Sequence, residues 1–128
     1  MAASSGAEVI GVDLIPDRLE LAKSAGAAYV LTGEENAADE IMDLTDGRGT
    51  EVGMDCSGSA AGRKLCLEAA REWGRVVFLG EGGSLAFEPS LLLLHKQLTL
   101  YGSWVCGMGE MGRLLEHLNR KEYTPSRP

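Results

Sequence analysis

A layered α/β fold, doubly wound around a mostly parallel sheet, is what the sequence predicts, and three observations carry it. Short apolar runs rich in β-branched residues alternate with helical stretches along nearly the whole chain. The runs end in acidic or Gly-containing turns, and no internal repeat or low-complexity linker interrupts the series. Strands that alternate with helices pair in parallel through right-handed crossovers, which lays helices over the sheet. With 128 residues, 45% of them hydrophobic, the chain has the length and the apolar content of one domain with a core of its own.

The elements follow in order. Residues 8–13 join Val9, Ile10 and Val12 with Gly11 and end in Asp13, as a buried strand reaching a ligand edge does. Pro16 suits a first helical turn, where its missing N–H is not needed; Leu19, Leu21 and Ala22 form a stripe, and Gly26 ends a helix over 16–25. Residues 28–31 read as a second strand. Asn36 is placed to cap a helix carrying Ala37, Ala38, Ile41, Met42 and Leu44, which Asp46 and Gly47 stop. Then come a strand at 51–56, a helix at 59–72 with Leu65, Cys66, Ala69 and Ala70 inward, and a strand at 75–79 closed by Gly80-Glu81-Gly82-Gly83-Ser84. Pro89 opens a short helix holding Leu91 to Leu94, residues 98–101 form a last strand, and 108–120 a last helix with Met111, Leu114, Leu115 and Leu118 on one face. Pro125 and Pro128 mark an exit.

Charge excludes some partners. A formal net charge of −7 leaves no basic patch with which to draw in nucleic acid or an anionic membrane surface. No apolar run approaches the ~20 residues that span a bilayer, and Met1 leads into Ala-Ala-Ser-Ser-Gly rather than a secretory leader, so a cytoplasmic location is expected. The three cysteines, Cys56, Cys66 and Cys106, are odd in number and widely spaced, which fits neither a disulfide framework nor a zinc clasp. Reduced thiols are expected, with Cys56 buried and inert. His95 and His117 have no Cys or carboxylate at ligand spacing, and no G-x-S-x-G elbow occurs.

Asp13 is the first site candidate. A carboxylate at a strand's carboxyl end can accept hydrogen bonds from both ribose hydroxyls and repel a 2′-phosphate, favouring NAD over NADP. It can equally cap the helix that begins near Pro16, and position alone leaves both readings open. Arg18 can reach the same ribose or sit as a solvated surface charge. Ser57-Gly58-Ser59 and Gly80-Glu81-Gly82-Gly83 place small residues at two further strand ends, where a flat cofactor can lie close to the backbone.

Taken together, "EVIGVDLIPDRLELAKSAGA", "DLTDGRGTEVGMDCSG", "WGRVVFLGEGG" and "LTLYGSWV" closely resemble, in order and spacing, successive blocks of the cofactor domain of zinc-dependent medium-chain alcohol and polyol dehydrogenases, a Rossmann-like fold. The resemblance implies that Asp13 is the ribose-binding acid and Arg18 the basic residue beside the adenosine ribose. It places Ser57, Gly58 and Ser59 in the adenine pocket, Leu79, Gly80 and Glu81 beside the nicotinamide, and Ser103 and Val105 at a second nicotinamide contact. It also implies that the last strand and the segment after it join two subunits in a homodimer.

The family's first strand, its G-x-G-x-x-G phosphate turn and most of the next helix are expected to precede residue 1, with residues 1–6 as that helix's last turn. The zinc ligands and proton-relay residues belong to a catalytic domain further upstream in the family. A partial NAD(H)-binding domain over 1–128 is therefore expected, without zinc or independent catalysis and with cofactor binding weakened or lost. The alternative is a non-catalytic interaction module that keeps the fold. The family's strand order 3-2-1-4-5-6 would leave a gap in the sheet, so the strand at 8–13 is expected to pair directly with that at 51–56, or a second chain to supply the missing edge.

Overall fold

The computed structural model describes residues 2–120. A turn of 3-10 helix at Ala3–Ser5 precedes β1 (Ile10–Asp13), α1 (Pro16–Ser24), β2 (Tyr29–Thr32), α2 (Ala37–Leu44), β3 (Thr50–Asp55), α3 (Ala60–Ala69), β4 (Ala70–Phe78), a π-helical turn at Ser90–Leu94, β5 (Thr99–Gly102) and α4 (Met108–Arg120). Every ladder is parallel, so the alternation read from the sequence builds the expected α/β architecture. The exit at Pro125 and Pro128 lies outside the described residues.

The sheet is divided. β1 pairs with β2, and β3, β4 and β5 form a second sheet in that order. The direct pairing expected between the strands at 8–13 and 51–56 does not form. The crossover helix α2 packs against α3 and β2, so helix contacts, not a ladder, tie the halves together. Both β1 and β3 keep one unpaired edge among the described residues, and Val52 and Met54 of β3 remain exposed.

The core lies in the three-stranded half. Leu67 of α3, Ala70 and Val76 are fully covered, with Phe78, Leu85, Phe87, Leu92, Leu98 and Leu100 packed around them. Burying side chains of the size of Leu67 or Val76 contributes roughly 1.5–3 kcal/mol each. Helix α3 approaches β3 closely because Gly53 has no side chain: a Cβ there would lie 3.1 Å from Cys66 Cβ. In the smaller half, Gly11 does the same for α1, where Ala22 Cβ is 3.2 Å from the space a Cβ would take. Leu19 is buried there, whereas Leu21, expected inward, is exposed.

Three helix signals resolve differently from the sequence reading. Asn36 does not cap α2; its Nδ2 donates to Glu40 Oε1 at 2.6 Å. Ala37 and Ile41 are buried as expected, but Leu44 is exposed. Helix α3 stops at Ala69 instead of running to residue 72, and Ala70 already pairs with Thr50 as the first residue of β4. No Gly marks that stop. Lys96, arriving from beyond the π-helical turn, donates from Nζ to the carbonyls of Leu67, Glu68 and Ala70 at 3.0, 2.6 and 2.9 Å, satisfying acceptors that a helix end leaves free. Burial lowers the pKa of Lys96 and the nearby Glu68 charge opposes that shift. In α4 the expected stripe is amphipathic but buries no residue: Met111 and Leu115 are exposed, Leu114 and Leu118 half-covered.

Replacing Lys96 with Met removes the donor and strands these carbonyls, so Lys96→Met should lower the free energy of unfolding by roughly 1–3 kcal/mol. Lys64, whose Nζ lies 3.1 Å from Glu68 Oε1 on the exposed surface of α3, serves as the control, because Lys64→Met should cost about 0.5 kcal/mol or less. Urea denaturation of the two variants measures the difference.

Candidate functional site

The candidate residues collect at the carboxyl ends of strands. At the end of β1 the Asp13 carboxylate turns back on its own chain, and Oδ1 accepts a hydrogen bond from the Ile15 N–H at 3.0 Å. Oδ2 faces the Arg18 guanidinium at 3.6 Å, on a side chain that is 31% exposed. The carboxylate does not cap α1, whose N-cap position is Ile15 with no side-chain cap: one oxygen shapes the turn before the helix while the other is open toward Arg18 and solvent. An exposed pair of this kind adds at most about 1 kcal/mol of stability, so it fixes the Arg18 side chain only loosely.

The second group forms between β3 and β4. Ser57-Gly58-Ser59 leaves β3 as a tight turn in which the two serine hydroxyls lie 2.9 Å apart. Ser59 is the N-cap of α3, its Oγ accepting from the Gly62 N–H at 3.0 Å. Leu79 and Gly80 both donate their N–H to the Asp55 carbonyl, at 2.9 and 3.1 Å, which folds the chain after β4 across the end of β3. Ser103 donates its N–H to the Phe78 carbonyl at 3.0 Å and so stands beside Leu79 at the same edge, while Val105 is exposed beyond it. The structure therefore brings Ser57, Gly58, Ser59, Leu79, Gly80, Glu81 and Ser103 together. Asp13 and Arg18 stand on the other sheet, and no ladder joins the two groups.

Glycine is required here for a reason other than the expected one. A Cβ on Gly58 would collide with the Glu81 carbonyl oxygen, and a Cβ on Gly80 with the Gly58 nitrogen. Gly58 also has φ +69°, in the left-handed region. The space vacated by these side chains is filled by backbone of the facing loop, not held open for a cofactor. Gly82 is different: nothing lies within 4 Å of its missing Cβ.

Sequence reading missed the residues that hold this arrangement. Asp55 is only 3% exposed, and it accepts from Ser57 N–H, Ser57 Oγ–H and Gly58 N–H at 3.0, 2.7 and 3.2 Å. Arg63, one turn into α3, sets Nε 3.5 Å from Asp55 Oδ2 and donates to the carbonyls of Gly80 and Gly83 at 2.8 and 3.3 Å. Its guanidinium lies over the Phe78 ring at 5.7 Å. A strand ending in Asp, followed within eight residues by an Arg on the next helix, was the available signal.

A second missed pattern carries less. Gly107-Met108-Gly109-Glu110-Met111-Gly112 has the G-x-G-x-x-G spacing and opens α4, yet it starts five residues after β5 ends, and Glu110 places a negative charge, paired with Arg113, in the first turn. Those features oppose a bound phosphate. A cavity of about 460 Å3 opens near Gly47, Arg48, Ala70, Arg71, Glu72 and Lys96. It lies by the start of β4, away from the candidate group, and its cations are already engaged: Lys96 with three carbonyls, Arg71 with Glu51, Arg48 with Asp46.

Among the described residues no group of three or more His, Cys, Asp or Glu is placed to hold a metal ion, and no helix is long and apolar enough to cross a membrane. All three cysteines are free, but Cys56, expected buried, is exposed, because the chain has already left β3 at that point. Cys66 is the covered one. Burial first, then the charges of Asp55 and Cys56, push its pKa up to about 11 from 9.0.

The family model for zinc-binding dehydrogenases matches residues 1–120. The zinc-type alcohol dehydrogenase-like protein YphC of Escherichia coli K12 is 43% identical over 98% of this chain and 36% of its own length. The L-threonine 3-dehydrogenase of Pyrococcus horikoshii is 39% identical over 80% of this chain and 30% of its own. Among solved structures, the alcohol dehydrogenase of Aeropyrum pernix superimposes with a TM-score of 0.81 at 32% identity, over 90% of this chain and 33% of that one. The chain spans about a third of the length of the relatives it matches.

The folded chain retains the Cys66 proton at a pH where the unfolded chain releases it. Its stabilising contribution is therefore complete below about pH 9 and is lost as the pH rises through about 11. Urea midpoints should fall more steeply between pH 9 and 11 in the wild type than in Cys66→Ala, and at pH 8 iodoacetamide should label Cys56 and Cys106 well before Cys66.

Proposed function

We propose, from the premise that the chain belongs to the zinc-binding dehydrogenase family, that it is the NAD(H)-binding part of a zinc-type medium-chain alcohol or polyol dehydrogenase and performs no hydride transfer alone. The observation that carries this reading is the Asp13 carboxylate at the end of β1, with Oδ1 committed to Ile15 N–H and Oδ2 open beside Arg18. Such a carboxylate suits a ribose diol, which donates two hydrogen bonds, and it disfavours a 2′-phosphate by charge. The residues present fit a dinucleotide at that end. On the other sheet the backbone of Leu79, Gly80 and Glu81 and the nearby Ser103 would flank the nicotinamide, Val105 would supply an apolar contact, and Ser57 to Ser59 would border the adenine.

NAD, when bound, supplies the hydride acceptor; the chain's own task is to hold and orient it. The alcohol, the zinc and the proton relay belong in this reading to a catalytic domain, consistent with a match to about a third of each relative. The strands' division into two sheets also supports weak cofactor binding, since the ribose group and the nicotinamide group sit on different sheets.

The same reading places a homodimer contact at β5. Among the described residues that strand ends its sheet with one unpaired edge, and Trp104, Val105 and Met108 stand exposed after it. A row of unpaired backbone groups flanked by apolar side chains is a surface that a second copy can extend across.

Calorimetric titration tests the cofactor reading. NADH should bind with a Kd below about 100 μM, near −5.5 kcal/mol, and more tightly than NADPH. Asp13→Ala should erase that preference; a preference that survives would remove Asp13 from the ribose-binding role. No heat at millimolar NADH would favour the non-catalytic interaction module instead. Sedimentation velocity should show a dimer that Tyr101→Pro, which breaks the β5 edge, converts to monomer.

A further inference from the structure

Asp55 and Arg63 form a buried ionic pair that the cofactor reading leaves without a role. We propose that this pair is a positioning device for the dinucleotide: it clamps the 57–59 turn to the 80–83 loop, so that the backbone flanking the nicotinamide is set before the cofactor arrives. The proposal rests on the dinucleotide reading and assigns to it two residues that touch no cofactor atom.

The clamp is built from both ends. Asp55 takes the Ser57 and Gly58 N–H groups with its side chain and the Leu79 and Gly80 N–H groups with its carbonyl, so one residue holds both segments. Arg63 reaches from α3 across the gap to the carbonyls of Gly80 and Gly83. Its side chain is 15% exposed and that of Asp55 1%, so neither charge can be left alone without a large penalty. Between these anchors the two segments meet backbone to backbone at Gly58, Gly80 and Glu81. A fold that needed only to close the end of β3 could do so with apolar side chains. What the ionic pair adds is direction: Nη1 and Nη2 of Arg63 each fix a particular carbonyl, those of Gly83 and Gly80, while Nε is left facing Asp55 Oδ2. Preset groups spare a ligand the cost of ordering them.

The division of labour sets the test. The Arg63 side chain hydrogen-bonds only the 80–83 side of these segments, which would face the nicotinamide, whereas Asp55 bonds both sides. Titrations of the whole chain with NADH and with ADP-ribose, which lacks the nicotinamide, separate the two. Arg63→Met should weaken NADH about tenfold, the worth of one charge-assisted hydrogen bond, while ADP-ribose affinity stays within about twofold. Arg63→Lys, keeping the charge and one donor, should recover part of the loss. Asp55→Asn should weaken both ligands. Amide hydrogen exchange should quicken at Gly80 to Gly83 in Arg63→Met and remain unchanged in β1 and α1, a pattern that general destabilisation does not give. An unchanged ratio of NADH to ADP-ribose affinity, or exchange that quickens uniformly, overturns the positioning role and leaves the cofactor reading intact. If the wild type binds neither ligand, the cofactor reading fails and the positioning role falls with it.

Discussion

The hydrogen-bond ladder stops between β1 and β3, and the rest of the structure depends on that interruption. Parallel strands draw their stability from covered faces and paired edges. A two-stranded parallel sheet has little of either, so β1 and β2 rely on α1, seated against Gly11 through Ala22, and on the contact of α2 with β2. The three-stranded half holds Leu67, Ala70 and Val76 and the side chains around them. Among the exposed apolar residues are Val52 and Met54 on β3, at the interruption, and Trp104, Val105 and Met108 after β5.

The same division separates the site into a loose part and a tight part. Arg18 and Asp13 form an open pair whose geometry a ligand can adjust at little cost. Arg63 and Asp55 form a closed one, set among backbone donors and acceptors of the two facing segments. If the proposed cofactor reading holds, adaptable contacts would lie at the ribose and fixed ones at the nicotinamide, as suits a dinucleotide whose reactive end must be placed more accurately than its handle.

Much of this was legible in the sequence because strands and helices announce themselves by period. The runs at 8–13, 51–56 and 75–79 and the stripe at 108–120 each appear within two residues of their places, apart from β4, which begins earlier. Illegible were features fixed by residues far away in the chain. Nothing between residues 66 and 74 shows that α3 must end at Ala69, because the lysine that closes it is Lys96. Leu67, as fully covered as Val76, fell outside the expected inward set, although Ala69 and Ala70 of that set are buried. Gly58 and Gly80 were visible as glycines, but the backbone that requires them lies more than twenty residues away in sequence from each other's turn. Asp55 was passed over because the only local sign, an acid ending a strand with an arginine eight residues on, does not show that the carboxylate accepts three hydrogen bonds and faces that arginine.

Asp13 and Asp55 share a local geometry and then differ in what surrounds them. Each ends a strand, and each accepts a hydrogen bond from the backbone N–H two residues on, Ile15 or Ser57, at 3.0 Å. The sequence around them offers the same turn twice. The residues next in the chain differ: after Asp55 come a serine and a glycine whose hydroxyl and N–H occupy its oxygens, and an arginine that α3 carries inward. After Asp13 comes Pro16, which has no N–H to give, and the arginine of α1 faces outward. A carboxylate whose acceptor sites are filled by its own chain can only hold structure. One that keeps an oxygen toward solvent is what the proposed ribose contact requires, and the missing donor at Pro16 is part of what keeps that oxygen available.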